Sequence, residues 1–165
     1  MRIFGVVQES IVDGPGMRLA VFAQGCMHDC PGCHNPESHA MDGGREESVD
    51  RLLALLTKNP MLGGLTLSGG EPFLQAAACA ALAKGAKEAG RNVWVYTGYT
   101  WAELEQVPQA RELFCYTDVL VDGQFELSQR TLELPYRGSA NQRLIDVQAT
   151  LAAGEVRLFS LPDWV

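Results

Sequence analysis

The sequence lacks any apolar run that could cross a bilayer, which takes about 20 consecutive apolar residues in a helix. Its first stretch, MRIFGVVQES, turns polar within eight residues, so we expect neither a secretory signal nor membrane association. Hydrophobic residues make up 47% of the chain and charged residues 20%, a composition that excludes a disordered or fibrous protein. We therefore predict a globular, cytoplasmic protein.

A surplus of basic residues is also missing. The chain has 13 lysine and arginine residues against 20 aspartate and glutamate residues, a formal net charge of −7. The average surface of such a protein repels nucleic acid. The composition therefore favours a protein partner or a small ligand.

The cysteines do not come in an even number, as the pairs of a small disulfide scaffold would require. There are five, and we expect free thiols in a reducing compartment. Cys79 and Cys115 lie in apolar surroundings, and we predict both to be small buried residues. The other three are crowded into one stretch, GCMHDCPGCHNPESH, at positions Cys26, Cys30 and Cys33.

The chain also lacks internal repeats and linkers, and its 165 residues are too few for two ordinary domains, so we predict one domain over 1–165. Short apolar runs closed by turn residues predict buried parallel strands. These runs are GMRLAVFAQG (16–25), GLTLSG (64–69), NVWVYTG (92–98) and DVLVDG (118–123). The segments NQRLIDV and EVRLFS are further candidate strands.

Helical patterns separate the predicted strands. Ser48 is a candidate N-cap for SVDRLLALLTKN, and Thr100 with Glu103 makes a capping-box pair in TWAELEQV. Another helix is predicted from Pro72 to the residue before Gly90. This alternation predicts an α/β fold with a mostly parallel sheet. Because a complete eight-unit barrel takes ~250 residues, we predict a partial, incomplete βα barrel.

Unusual residues follow each predicted strand. The cysteine loop (residues 25–35) follows the first strand, Gly69-Gly70-Glu71 the second, a Thr-Gly pair the third and Asp122 the fourth. Folds of this kind bind their ligands at the carboxyl ends of the strands. The sequence therefore predicts a ligand site at this edge of the sheet.

Three thiolates spaced Cys26-x3-Cys30-x2-Cys33 leave one position open on a four-coordinate metal centre. One of the three histidines in the same stretch could complete a Cys3His zinc site. A ferredoxin-type cluster would need a fourth cysteine and a different spacing, whereas a three-thiolate iron–sulfur cluster with one exposed iron fits the pattern. From the residues alone, a non-catalytic zinc or iron–sulfur module stays open beside an enzyme.

Several motifs in order resemble a known family. The triple cysteine followed by LSGGEP resembles the radical S-adenosylmethionine superfamily. The stretches IVDGPGMR, CPGCHN, VYTGYTWAEL, DVLVDGQF and YRGSANQR resemble the activating enzymes of anaerobic ribonucleotide reductase, and they extend from residue 11 to residue 143. The alternative within the superfamily is an activating enzyme of another glycyl-radical enzyme, of the pyruvate formate-lyase type, which usually has a longer chain.

The resemblance implies a [4Fe–4S] cluster whose metal ligands, and catalytic residues, are Cys26, Cys30 and Cys33. It also implies reductive cleavage of S-adenosylmethionine bound to the fourth iron. The resulting 5′-deoxyadenosyl radical would remove a hydrogen from a glycine on the catalytic subunit of anaerobic ribonucleoside-triphosphate reductase. An electron donor such as flavodoxin or ferredoxin is implied as a second partner.

The resemblance further implies residues at the methionine end of the cofactor. Gly69 and Gly70 have no side chain to block the approach of backbone groups. Glu71 is an anion suited to the ammonium group of the cofactor. Its alternative is an acid at the start of a helix.

Contacts to the rest of the cofactor are less directly implied. The position before the third cysteine, often aromatic and near the adenine in the superfamily, is Gly32. His34 or the backbone around Gly32 is therefore predicted to contact the adenine, and Cys33 is predicted to bind the cofactor with them. Asp122 is predicted to touch the ribose or a cation, or to cap the next turn. Asn141 is predicted to contact the cofactor or the partner, or to lie in a solvated loop. A partial barrel would also leave a broad cleft, suited to a peptide loop of the partner.

Overall fold

The computed structural model describes residues 1–161. Within them seven strands form: β1 (Arg2–Ser10), β2 (Arg18–Ala23), β3 (Arg45–Glu46), β4 (Gly64–Gly69), β5 (Asn92–Tyr96), β6 (Val119–Asp122) and β7 (Arg143–Asp146). The same residues form five α-helices: α1 (Val49–Lys58), α2 (Ala76–Glu88), α3 (Trp101–Leu104), α4 (Ala110–Phe114) and α5 (Val147–Ala153). None of these helices is long and apolar enough to cross a membrane.

The strands form one sheet in the order β3-β1-β2-β4-β5-β6-β7. The central pairs β2–β4, β4–β5 and β5–β6 are parallel, which confirms the α/β class. The outer pairs β1–β2, β1–β3 and β6–β7 are antiparallel. A parallel pairing of β1 with β2 would need a crossover of a dozen or more residues, and only residues 11–17 join the two strands. Both edges of the sheet are antiparallel, so the structure is an open mixed sheet. The barrel character that we predicted is not confirmed.

The two faces of the sheet carry different cores. Successive side chains of a strand alternate between faces; Leu65 and Leu67 of β4 pack in the cluster that contains Leu52, Leu56 and the buried residues of α2. Trp94 of β5 packs in a second cluster with Val119, Val121 and Leu144, against C-terminal residues that include Tyr136 and Phe159. The central strands are thus buried on both sides, as their continuous apolar runs predicted.

The predicted helix starts are confirmed by their caps. The Ser48 hydroxyl accepts a hydrogen bond from the Arg51 N–H at 3.2 Å, and Thr100 with Glu103 forms the reciprocal capping box. The helix predicted from Pro72 begins instead as a 3-10 turn (Pro72–Gln75) before α2.

One strand was missed, and two predictions were wrong. The strand β1 was not predicted, and EVRLFS forms only an isolated bridge between Ile145 and Leu158. Cys79 is fully buried, but Cys115 is exposed, because it follows the last turn of α4 on the side away from the buried Leu113.

Candidate functional site

A cavity of about 130 Å³ lies at the carboxyl ends of the central strands. The cysteine loop contributes all three of its cysteines to the wall. Residues at the ends of β4, β5 and β6 complete it, among them Ser68, Gly69, Gly70, Thr97, Gly98 and Gly123. The structure thus brings together the segments that the sequence predicted to converge at this edge.

The three thiols surround the cavity. Cys26, Cys30 and Cys33 are free and partly buried, and burial raises the pKa of the Cys26 and Cys30 thiols. Across residues 1–161, no three His, Cys, Asp or Glu side chains are arranged to hold a single metal ion. A four-iron cluster binds each thiolate through a different iron, so thiols distributed around a cavity fit such a group.

Two glycines allow close backbone contacts where β4 ends, Gly69 with β2 and Gly70 with the start of the cysteine loop. Gly69 has a φ of +94°, and a Cβ there would lie 2.7 Å from the backbone of Phe22. A Cβ on Gly70 would lie 2.4 Å from the carbonyl oxygen of Gly25. The Glu71 N–H donates to that same oxygen at 2.7 Å. We predicted that the missing side chains leave room for a close approach. On the side where a Cβ would lie, neighbouring backbone occupies that room.

Glu71 is completely buried, and its carboxylate accepts hydrogen bonds from four protein groups. The donors are the Phe73 N–H at 3.0 Å, the Thr97 hydroxyl at 2.9 Å, the Gly98 N–H at 2.9 Å and the His28 ring at 2.9 Å. The bond from Phe73 confirms that Glu71 caps a helical turn. The other three were not predicted.

His28 is a residue whose role sequence reasoning missed. It reads as a polar loop residue, yet its side chain is only 10% exposed and contacts Glu71. Its one sequence signal is its position between the first two cysteines, which does not reveal a partner 43 residues away.

The residues predicted near the adenine differ in position. His34 is exposed, its ring centroid lies 5.0 Å from that of Phe125, and it lines the cysteine cavity as Cys33 does. Gly32 is also exposed and has a φ of +75°. A Cβ at this position would lie 3.1 Å from the Leu127 side chain. The backbone at Gly32 thus faces a neighbouring loop.

Asp122 and Asn141 are not among the residues that line the cysteine cavity. The buried Asp122 carboxylate accepts hydrogen bonds from the Trp101 N–H at 2.8 Å and from Arg143 Nε at 3.0 Å. The Asn141 amide donates to the Gln124 carbonyl at 2.8 Å, while its Oδ1 is buried without a partner. Both residues hold neighbouring segments in place.

A broad groove of about 750 Å³ adjoins the cysteine cavity. His34, Ser68, Tyr96 and Phe125 line both spaces. The outer rim carries exposed apolar side chains, namely Ile11 (69% exposed), Val12 (72%) and Leu132 (92%). The broad cleft expected from the sequence is present.

Comparisons with known proteins agree with the chemistry of the cavity. The family model described as "4Fe-4S single cluster domain" matches residues 12–145, a range that includes all three cysteines of the loop. The matched region is therefore a single-cluster iron–sulfur domain.

Curated relatives carry a more specific name, anaerobic ribonucleoside-triphosphate reductase-activating protein. The relative from Vibrio cholerae is 40% identical over 140 residues, which is 80% of this chain and 89% of the relative. The relative from Enterobacteria phage T4 is 34% identical over 141 residues (81% and 86%), and that from Escherichia coli K12 is 33% identical over 140 residues (80% and 90%). The chain belongs to the family of anaerobic ribonucleoside-triphosphate reductase-activating proteins.

Proposed function

We propose that this protein activates anaerobic ribonucleoside-triphosphate reductase by cleaving S-adenosylmethionine at a [4Fe–4S] cluster. The observation that carries the proposal is the convergence of Cys26, Cys30 and Cys33 around one cavity at the strand ends. The iron–sulfur family model and the names of the relatives support it.

When bound, the cluster and S-adenosylmethionine would supply the difficult chemistry, which is reductive cleavage of the sulfonium and removal of a hydrogen from a glycine of the reductase. The chain's own residues bind and orient. Cys26, Cys30 and Cys33 would hold the cluster and leave one iron open to S-adenosylmethionine. The backbone around Gly69 and Gly70, which lines the cavity, would face its methionine end. A flavodoxin or ferredoxin provides the electron.

The adenine end of the cofactor is assigned to the wall between the cavity and the groove. His34 lies there, and its ring beside Phe125 offers a flat surface. The backbone of Gly32 and Cys33 precedes it. Neither Asp122 nor Asn141 lines the cavity, and the Asp122 carboxylate is engaged by protein groups, which supports a role in holding neighbouring segments rather than in touching the cofactor.

The groove is assigned to the reductase. A radical of this reactivity must be kept from water, and the cavity opens into a groove too wide to enclose it. The exposed apolar rim at Ile11, Val12 and Leu132 suits a loop of a partner protein. The loop that carries the glycine would complete the enclosure.

The test is anaerobic reconstitution followed by incubation with the reductase, S-adenosylmethionine and a reductant. We expect four irons and four sulfides per chain, as the named cluster requires, cleavage of S-adenosylmethionine, and a glycyl-radical signal by electron paramagnetic resonance. A reductase with the glycine changed to alanine should give no signal.

If the protein binds zinc in place of iron, or does not cleave S-adenosylmethionine, it is a non-catalytic module. A signal on pyruvate formate-lyase but not on the reductase would identify the other activating branch. Steady turnover of a metabolite by the isolated protein would contradict the proposal.

A further inference from the structure

One side chain of the cysteine loop points into the molecule while its neighbours face solvent. The His28 side chain is 10% exposed, whereas Met27 is 66% exposed and the Asp29 side chain 99%. His28 Nε2 lies 2.9 Å from the Glu71 carboxylate, and the Gln124 amide nitrogen lies 3.1 Å from Nδ1. Because an ionised carboxylate only accepts hydrogen bonds, His28 Nε2 is the donor to Glu71 in this contact.

The end of β5 is shaped to receive this ring. A Cβ on Gly98 would lie 2.4 Å from the His28 ring, so the ring occupies space that only glycine leaves open. The Tyr99 ring meets it edge-on, with centroids 4.5 Å apart and an interplanar angle of 74°. The contact between His28 and β5 is therefore steric as well as polar.

Glu71 joins three segments through one carboxylate. His28 reaches it from the cysteine loop, the Phe73 N–H from the turn after β4, and Thr97 and Gly98 from the end of β5. Charge-assisted hydrogen bonds of this kind are about twice as strong as neutral ones, and a buried network in which every member is satisfied is rigid.

The buried His28 side chain connects the middle of the cysteine loop to the sheet. Backbone hydrogen bonds hold its start, from the Gly25 N–H to Ser38 and from the Cys26 N–H to His39. His28 anchors the stretch that carries Cys26 on one side and Cys30 on the other.

We propose that the His28–Glu71 pair fixes the cysteine loop on the ends of β4 and β5, so that both are positioning residues for the cluster and Glu71 acts through His28 rather than on the cofactor. The proposal rests on the proposed function only in taking the cysteine cavity as the cluster site. Glu71 then organises the thiolates before any cofactor is bound.

Two readouts test the pair in the full-length chain without S-adenosylmethionine or reductase. The first is amide hydrogen exchange of residues 26–33 in the metal-free protein. The second is loss of iron from the reconstituted protein to a chelator, followed by the visible absorption of the cluster. We expect His28→Ala and Glu71→Gln each to accelerate both by about ten- to a hundredfold, the worth of a charged hydrogen bond. Met27→Ala, in the same loop but exposed, should change neither.

Conservative rescue separates positioning from a general loss of structure. His28→Gln keeps a nitrogen donor within reach of Glu71 and should restore most of the protection and iron retention lost in His28→Ala. The double variant of His28→Ala with Glu71→Gln should be no worse than the more affected single variant, because both remove the same contact.

A steric variant tests the same contact without changing a polar group. Gly98→Ala should displace the ring and accelerate exchange in the cysteine loop. In the His28→Ala background the added methyl group has room, so Gly98→Ala should have little further effect. Additive effects would overturn the proposal.

The proposal is also overturned if His28→Ala leaves exchange and iron retention unchanged. It is overturned if Glu71→Gln weakens binding of S-adenosylmethionine and changes neither readout, since Glu71 would then contact the cofactor directly. Neither result alters the glycyl-radical test of the proposed function. Failure of that test would in turn leave the exchange and chelation results standing.

Discussion

The thiols of this chain have different environments. Cys26, Cys30 and Cys33 line the cavity. Cys79 is fully buried in α2, and burial raises the pKa of its thiol to about 12, so it stays protonated and inert. Cys115 is exposed at the end of α4, where its Sγ donates to the Arg111 carbonyl at 3.2 Å. Neither of the last two lines the cavity.

We therefore expect replacement by alanine to affect the iron content differently at the three loop cysteines and at the other two. Loss of Cys26, Cys30 or Cys33 removes a ligand and should abolish the cluster. Cys79→Ala and Cys115→Ala should keep the iron content of the parent protein. Iron and sulfide analysis after anaerobic reconstitution measures the cluster content of each variant. A loss of iron in Cys115→Ala as complete as in Cys30→Ala would contradict the ligand assignment.

At the scale of secondary-structure elements, the start of the parallel sheet contains a buried cation. Arg18 of β2 is fully buried, and burial lowers the pKa of its guanidinium to about 10. It donates to the Thr66 hydroxyl, the Asn92 Oδ1 and the Leu65 carbonyl, each at 2.7 Å, and lies over the Trp94 ring at 5.6 Å from the centroid. One side chain thus joins β2, β4 and β5.

Replacing Arg18 by methionine should lower the free energy of unfolding by about 2–4 kcal/mol, because several buried acceptors lose their donor. Denaturant unfolding of the metal-free chain measures the change. The control is Arg45→Met on the exposed edge strand, which should cost about 0.5 kcal/mol or less. Equal effects of the two substitutions would show that the buried hydrogen bonds contribute nothing.

The junction between β4 and the cysteine loop should be equally sensitive to added volume. The Cβ of Gly70→Ala would lie 2.4 Å from the Gly25 carbonyl oxygen, an atom of the backbone that cannot rotate away. We expect a loss of about 1–3 kcal/mol in stability and a lower iron content. Gly5→Ala, whose Cβ would meet nothing within 4 Å, is the matched control. If both variants retain the cluster equally, the junction is looser than the contact implies.

At the scale of the whole molecule, the proposed function gives the cavity and the groove separable roles. It assigns cofactor chemistry to the cavity and recognition of the reductase to the groove. The shared wall, which includes His34 and Tyr96, lies between the two. Substitutions on the outer rim of the groove are therefore expected to affect activation of the partner without affecting the cluster.

We expect Leu132→Asp to reduce glycyl-radical formation by about tenfold or more, the loss typical of an apolar contact that becomes charged at an interface. Iron content and reductive cleavage of S-adenosylmethionine without reductase should be unchanged. Met61→Asp, at a site that is 70% exposed but absent from the groove lining, should leave both activities intact. Normal radical formation by Leu132→Asp would place the reductase elsewhere.

Features that depend on neighbours in the chain were predictable from the amino-acid sequence. The strand β4 has the predicted bounds, because a short apolar run between turn residues carries its own signal. The capping box at Thr100 is equally local. The spacing of the three cysteines, with the glycines after β4, likewise indicated where a ligand site would form.

Contacts between distant segments were not predictable in this way, because they form only when the chain folds. The antiparallel β1 depends on where the chain returns after a short connection. Arg143, 21 positions away, engages Asp122, and His28, 43 positions away, engages Glu71. No periodicity in the sequence encodes such pairs, because a buried carboxylate finds its donors among whatever groups packing brings within hydrogen-bond distance.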